Sequence, residues 1–162
     1  MTEALSTRRG ILQNMTNLQE ALMQLPDAKV GDEACEIIHH YADGMYIREM
    51  RGKKGMLVVT KLHKTTHPFF MTEGDVTIES EKGIVRLKAP AWGITKAGTK
   101  RVAYFHEDTV WITVHATDEV DLQKIESEVI AETFDELPES VKKELLLEEV
   151  LYGLGNGRCD SS

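Results

Sequence analysis

The middle of the chain, from Glu36 to His115, is a series of short β-type segments separated by turn signals. The segments are rich in β-branched and aromatic residues. Three pairs of segments flank turns, at Asp43-Gly44, at residues 81–83 and at residues 106–108. Because strands joined by such short turns lack the long crossovers of a parallel sheet, we predict a mainly β, antiparallel barrel or sandwich. The predicted strands are residues 37–41, 45–50, 56–62, 75–80, 84–88, 102–105 and 109–115.

Helical periodicity precedes this β region. Apolar residues recur at steps of four and three in the first 25 residues, at Ile11, Met15, Leu18, Leu22 and Leu25. The spacing predicts one helix that ends at Pro26. Its apolar stripe packs on the same domain or joins a partner chain.

Helical periodicity returns after the β region. Asp118 is a candidate N-cap for a helix that carries Leu122, Ile125 and Val129. A second helix is predicted from Pro138, with Gly153 as its terminator. The predicted organisation is an N-terminal helical segment (1–30), a β-barrel (31–117), two C-terminal helices (118–153) and a flexible tail (154–162).

Size and charge restrict the classes of function. The 162 residues suit one domain, and a net charge of -8 argues against an extended nucleic-acid surface while allowing a local basic pocket. Cys35 and Cys159 show no metal-ligand spacing and are interpreted as reduced thiols. No apolar run reaches membrane-spanning length, and the N-terminus lacks a signal-peptide pattern. We therefore expect an intracellular protein without a membrane partner.

Two histidines are the candidate metal ligands. His63 and His67 are four residues apart and share one face if the strand is continuous, although Pro68 and the two preceding threonines suggest a loop at the barrel mouth. A divalent transition metal requires a further ligand, because such sites usually take three protein ligands. The candidates for this third position are Glu73, His106 and His115.

The spacing around these histidines has the form of a motif. Written out, it is Gly55, five residues, Lys61, one residue, His63, three residues, His67, six residues and Gly74, followed later by Gly98 and Arg101. This pattern resembles the first motif of the cupin superfamily, G-x5-H-x-H-x3-4-E-x6-G, with an echo of the second. The resemblance implies a cupin-like β-barrel, that is, a double-stranded β-helix, between the N-terminal helix and the two C-terminal helices.

The stretch from Lys61 to Glu119 is also similar to small cupin-like proteins that tailed bacteriophages encode. The segments that carry this similarity are His63-Lys-Thr-Thr-His67-Pro68, Leu87-Lys-Ala-Pro90, Gly93-Ile-Thr-Lys-Ala-Gly98-Thr-Lys-Arg101 and His106-Glu-Asp-Thr-Val-Trp111. The similarity implies a location in the host cytoplasm or in the virion, and it implies no established activity.

The departures from the cupin motif define the site hypothesis. Lys61, His67 and Arg101 stand where cupins usually place a histidine, a glutamate and a histidine, so two cations would face the cavity. An ammonium and a guanidinium repel a divalent metal and suit an anion. Lys100 extends this basic turn. Trp111 and His115 share one face of a predicted strand, where Trp111 either stacks on a ligand or fills the core.

Three functions follow from these observations. The first is a phage-type cupin that binds a small anionic ligand, a nucleotide or a sugar phosphate, without turnover through Lys61, His63, His67 and Arg101. The second is a metal-dependent cupin enzyme that uses His63, His67 and a third ligand. The third is a structural virion or assembly protein. In each case we expect a homo-oligomer, with the terminal helices packed on the barrel or exchanged with a neighbouring copy.

Overall fold

The computed structural model of the chain describes residues 8–30, 33–80 and 83–156. In the described part of the chain, three α-helices flank the β region: α1 (Arg8–Leu22), α2 (Leu122–Val129) and α3 (Glu139–Asn156), and a 3₁₀ turn lies at Phe134–Glu136. The strands are β1 (Glu36–Ala42), β2 (Met45–Gly52), β3 (Leu57–Val59), β4 (Leu62–His63), β5 (His67–Glu73), β6 (Asp75–Ser80), β7 (Gly83–Lys88), β8 (Ala91–Thr95), β9 (Val102–Phe105), β10 (Thr109–Ala116) and β11 (Ile130–Ala131).

Two antiparallel sheets form the barrel. The first has the strand order β1-β2-β10-β5-β8 and the second has the order β3-β9-β6-β7, while β4 pairs with β11. If β2, β3 and β5 to β10 are counted one to eight along the chain, the sheets read 1-8-3-6 and 2-7-4-5. This is the order of the double-sheet jelly roll, the architecture of cupins. The predicted cupin-like fold with an N-terminal helix and two C-terminal helices is confirmed.

Two of the three predicted turns join strands that pair as hairpins. In the first, Ala42 pairs with Met45, and Gly44 takes a φ of 72° that the tight turn requires. Strands β6 and β7 form the second hairpin. The third predicted pair, β9 and β10, lies on either side of the predicted turn but in different sheets. Local turn chemistry therefore positions the chain reversals, and long-range pairing assigns strands to sheets.

The predicted loop forms at residues 64–66, between β4 and β5, but it does not extend to Pro68. Residues 67–73 form β5, which lies between β10 and β8 in the first sheet. Pro68 is tolerated because it lies at the start of the strand, before the pairing with β10 begins at Phe69. The buried side chains of Phe69 and Met71 hold β5 in place. The predicted strand over 56–62 divides instead into β3 and β4.

The core of the barrel lies between the two sheets. Its buried members come from both of them: Met71, Val76, Ile78, Ala103 and Phe105. Gly52 permits the close approach of Phe105, because a Cβ atom at Gly52 would lie 2.0 Å from Cε2 of the Phe105 ring. Only a residue without a side chain fits there.

A second cluster joins the terminal helices to the barrel. Leu12 of α1 packs with the buried residues Leu62, Ala131, Leu137 and Leu145. The buried face of α1 carries Leu12 and Met15, whereas Leu18 and Leu25 of the predicted stripe are exposed. The helix packs on its own domain along a face rotated from the predicted stripe.

Both predicted C-terminal helices form, but the first of them, α2, begins later than predicted. Asp121, rather than Asp118, caps α2, because its carboxylate accepts bonds from the backbone N–H groups of Gln123 and Lys124. Helix α3 continues to Asn156, and residues 157–162, including Cys159, lie outside the described residues. Cys35 is a reduced cysteine. Within residues 8–30, 33–80 and 83–156, no helix is long and apolar enough to cross a membrane.

Candidate functional site

Three histidines gather inside one end of the barrel. The ring centroids of His63 and His67 are 4.7 Å apart, those of His67 and His115 are 4.3 Å apart, and those of His63 and His115 are 6.4 Å apart. His67 and His115 are buried in adjacent strands of the first sheet, and His63 reaches them from β4. The alternation of strand β10 predicted that His115 and Trp111 share one face, and the structure shows that this face points inward.

Hydrogen bonds define which nitrogens of the cluster are available. Nδ1 of His63 donates to the carbonyl oxygen of Thr99 at 3.3 Å, and Nδ1 of His67 donates to the carbonyl oxygen of Thr65 at 3.1 Å. Because a carbonyl oxygen can only accept, both neutral rings carry their proton on Nδ1 and their lone pair on Nε2. This is the arrangement that metal-ligating histidines adopt.

His115 contributes an unsatisfied atom. Its Nε2 lies 3.2 Å from Oγ1 of Thr113, whereas its Nδ1 is buried and has no hydrogen-bond partner among the residues that the structure describes. Leaving a buried polar atom without a partner costs about 1–3 kcal/mol. A native interior rarely keeps such an atom without a reason, so His115 Nδ1 marks a position where a further group would be stabilised.

Burial keeps the three imidazoles neutral. It lowers the pKa of His63 to about 3, and the neighbouring His67 ring adds to this effect. Burial also lowers the pKa of His115 to about 4, with further contributions from His67 and from the positive charge of Arg48. The pKa of His67 is lowered by burial and then by the charge of Arg101. Neutral imidazoles offer lone pairs at neutral pH and even in mild acid.

Of the three candidates for a third ligand, His115 joins the cluster. His106 directly follows β9 of the second sheet and lies away from the cluster. Its Nε2 is 2.7 Å from Oγ1 of Thr77. Glu73 lines a groove on the outer surface. As the side chains stand, no three His, Cys, Asp or Glu residues in the described part of the chain have donor atoms gathered to hold a metal ion. A metal bound by all three imidazoles would therefore require their rings to reorient.

Arg101 lies beside the histidines as the sequence predicted. Its Nη1 donates to Oγ1 of Thr95 at 3.0 Å, and its guanidinium carbon is 5.5 Å from the centroid of the Phe69 ring. Thr95 pairs with His67 across β8 and β5. The guanidinium therefore lies against the inner face of the sheet that carries the buried histidines.

Lys61 and Lys100 are placed elsewhere. The ammonium of Lys61 is 3.2 Å from Oε1 of Glu126 in α2, and its side chain is 45% exposed. The ammonium of Lys100 is buried against α1, where it donates to Oε1 of Gln19 at 2.7 Å and to Oγ1 of Thr16 at 3.3 Å. Both lysines connect the barrel to helices, so the structure does not bring them to the histidines.

Trp111 belongs to the barrel interior. Its ring stacks on Phe69 with centroids 4.4 Å apart and an interplanar angle of 11°, and it packs against the core cluster between the sheets. Of the two roles considered for it, this contact supports core filling. Through Phe69 it also supports the surface over which the Arg101 guanidinium lies.

Arg48 is a residue that the sequence reasoning did not select. Tyr46, Arg48 and Met50 alternate along β2, and Tyr46 is buried while Met50 packs against the core. Arg48 therefore shares the inward face of the strand. The sequence signal that could have pointed to Arg48 was an arginine between two inward positions of a predicted strand. Its charge acts on the neighbouring His115.

Helix α2 covers this end of the barrel. Its buried residues Ile125 and Val129 pack on Tyr46, whose ring is stacked 6.0 Å from that of His115. Strand β11, which follows α2, pairs Ile130 with His63. Helix α2 is thus joined to the histidine cluster in two ways, by its packing on Tyr46 and by strand β11, which directly follows it.

A separate groove of about 580 Å³ lies on the outer surface and includes Cys35, Glu49, Arg51, Glu73 and Asp108 among its lining residues. Glu49 and Arg51 alternate along β2 with the inward residues Arg48 and Met50 and so face away from the barrel interior. Its charged groups pair with one another, as Arg51 does with Glu49 at 2.7 Å. This groove is therefore separate from the histidine cluster.

Comparison with known proteins gives likenesses in structure alone. No protein family and no curated protein sequence matches the chain. Similar solved structures include the cupin domain of Cnp3 from Schizosaccharomyces pombe, with a TM-score of 0.46, 15% identity and coverage of 59% of this chain and 72% of that one. Ectoine synthase from P. lautus has a TM-score of 0.47, 12% identity and coverage of 60% and 74%. KdgF from Halomonas sp. has a TM-score of 0.47, 12% identity and coverage of 57% and 89%. None of these likenesses bears on what this chain binds.

Proposed function

We propose that this chain is a cupin-like binding protein that holds one divalent transition metal on His63, His67 and His115, with a small anionic ligand beside it. The observation that carries the proposal is the buried cluster of three neutral imidazoles. Two of them carry their lone pair on Nε2, and the third has a buried nitrogen that no described residue bonds to. Imidazole nitrogen is a preferred ligand of zinc, iron, copper and nickel.

The tautomers favour a metal over an anion as the direct partner of these rings. A lone pair on Nε2 accepts hydrogen bonds and repels anionic oxygens. Protonation would convert the rings to donors, but burial opposes it, since it lowers the pKa of His63 to about 3 and of His115 to about 4. Neutral, buried histidines therefore favour a cation over an anion as their direct partner.

The anionic part of the proposal rests on Arg101. Three neutral ligands leave the full charge of a divalent ion uncompensated, and the nearby guanidinium adds positive charge. An anion at an open coordination position would offset both charges. The nucleotide or sugar phosphate predicted from the sequence is one class of such ligand, and binding without turnover remains the working hypothesis.

Metal analysis tests the proposal directly. The protein is incubated with Zn²⁺, Co²⁺ or Ni²⁺, passed through a desalting column and measured for metal per chain. We expect one equivalent in the wild type, and loss of that equivalent in His67→Ala and His115→Ala. His106→Ala is the matched control, because this histidine lies outside the cluster and bonds to Thr77. A wild type without stoichiometric metal, or equal loss in the control, refutes the metal site.

The biological setting is a further part of this proposal. The resemblance over residues 61–119 supports a phage-encoded protein that acts in the host cytoplasm or in the virion as a homo-oligomer. Mass spectrometry of purified particles and of the soluble lysate separates the two locations. Native mass spectrometry of the purified protein tests the oligomer, and a monomer across the concentration range would remove that part.

A further inference from the structure

A row of inward side chains runs alongside the histidines on the first sheet. Thr113 of β10 pairs with Arg48 of β2 on one side and with Phe69 of β5 on the other. The Arg101 guanidinium lies over the Phe69 ring. The row therefore has one guanidinium at each end, with the Thr113 side chain between them and the buried rings of His67 and His115 beside them.

Arg48 differs from the other arginine of its strand. Arg51 faces the outer surface and is paired with Glu49 at 2.7 Å. Across the described ranges, the guanidinium of Arg48 makes neither a hydrogen bond nor an ion pair, although it is partly buried. A guanidinium with five N–H donors in a partly dry environment is stabilised by an anion with paired oxygens.

The positions of the two arginines indicate how many acidic groups the anion carries. Arg48 extends inward from β2, and the Arg101 guanidinium lies over Phe69 of β5, with β10 and its Thr113 between these two strands. Two interstrand spacings, roughly 10 Å, separate β2 from β5. A short molecule that carries two acidic groups therefore matches a guanidinium on each side of Thr113.

We propose that Arg48 and Arg101 bind the two ends of a small dianionic ligand, a short dicarboxylate, that lies across Thr113 beside the histidine cluster. Carboxylates match the planar fork of arginine in a bidentate geometry. The inference rests on the proposed function, since it assigns the chemical class of the anion at that site. It also assigns to Arg48 the second positive charge of the site, which the sequence analysis assigned to Lys61.

Paired probes test this assignment. Calorimetry on Zn²⁺-treated protein compares malonate, succinate and glutarate with propionate, butyrate and valerate, the monocarboxylates of equal chain length. We expect at least one dicarboxylate to bind about tenfold or more tightly than its monocarboxylate, because a charge-assisted bond is added at the second end. Arg48→Ala should abolish that preference. Arg51→Ala, which removes an outward arginine from the same strand, should retain it.

The outcomes separate this inference from the metal site. If metal binds stoichiometrically but the wild type shows no preference for any dicarboxylate, or if Arg48→Ala retains the preference, the assignment of Arg48 is overturned and the metal site stands. If no metal binds and the preference is nevertheless lost in Arg48→Ala, the dianion site stands and the metal site is overturned. Arg48→Lys keeps the charge without the fork and should bind with intermediate affinity, which guards against a folding defect in the alanine variant.

Discussion

Acid should destabilise this protein through its buried histidines. In the metal-free protein, His63 has a native pKa of about 3 and His115 a native pKa of about 4, against 6.5 for the ordinary side chain. Below pH 6.5 the unfolded chain therefore binds protons that the native protein does not. Stability is complete above 6.5 and falls as the pH decreases towards the native values.

The size of the effect follows from these values. At about pH 5 each of the two histidines is 1.5 pH units below its unfolded pKa, and 1.36 kcal/mol per unit gives about 2 kcal/mol for each. Together they remove about 4 kcal/mol, and His67 acts in the same direction. Small domains have a total unfolding free energy of only about 5–15 kcal/mol, so the loss is readily measured.

The assay compares variants rather than absolute values, because exposed carboxylates also titrate. Urea unfolding is measured at about pH 7.5 and about pH 5 in the presence of a chelator. His115→Gln should reduce the difference between the two pH values by about 2 kcal/mol, since one shifted group is removed.

Asp75→Asn provides the control. The Arg86 guanidinium, bonded to Asp75 at 2.7 Å, holds the pKa of this carboxyl at about 2, so it is ionised at both pH values. The variant should lose stability equally at each pH. If His115→Gln shows the same pH dependence as the wild type, the buried neutral cluster is refuted.

Three further results are expected. Gly52→Ala should lower the free energy of unfolding by about 1–3 kcal/mol, because the new methyl group overlaps the buried ring of Phe105. Urea unfolding checks this, and unchanged stability would contradict the close contact. Lys100→Ala should speed amide exchange in α1 by removing the bond to Gln19, and unchanged exchange there would contradict the docking role. Metal affinity should fall between about pH 7.5 and about pH 5.5 by much less than the roughly thousandfold that three histidines of ordinary pKa would cause, and a fall of that size would contradict the lowered pKa values.

Much of the site could be predicted from local sequence patterns. Alternation along β10 placed Trp111 and His115 on one inward face, and the motif spacing selected His63, His67 and Arg101. Turn residues such as Gly44 positioned the chain reversals. These features depend on backbone preferences and side-chain periods that act within a few residues, which is why they can be read without coordinates.

The remaining features arise from contacts between distant segments. The ion pair that draws Lys61 away from the histidines joins it to Glu126, 65 residues later, and Lys100 finds its partner in α1. Strand β5 forms despite Pro68 because β10 and β8 pair with it on both sides. Arg48 enters the site only when β2 and β10 align. Local preference sets which way a side chain points along its own strand, whereas packing across the sheets determines which neighbours it meets.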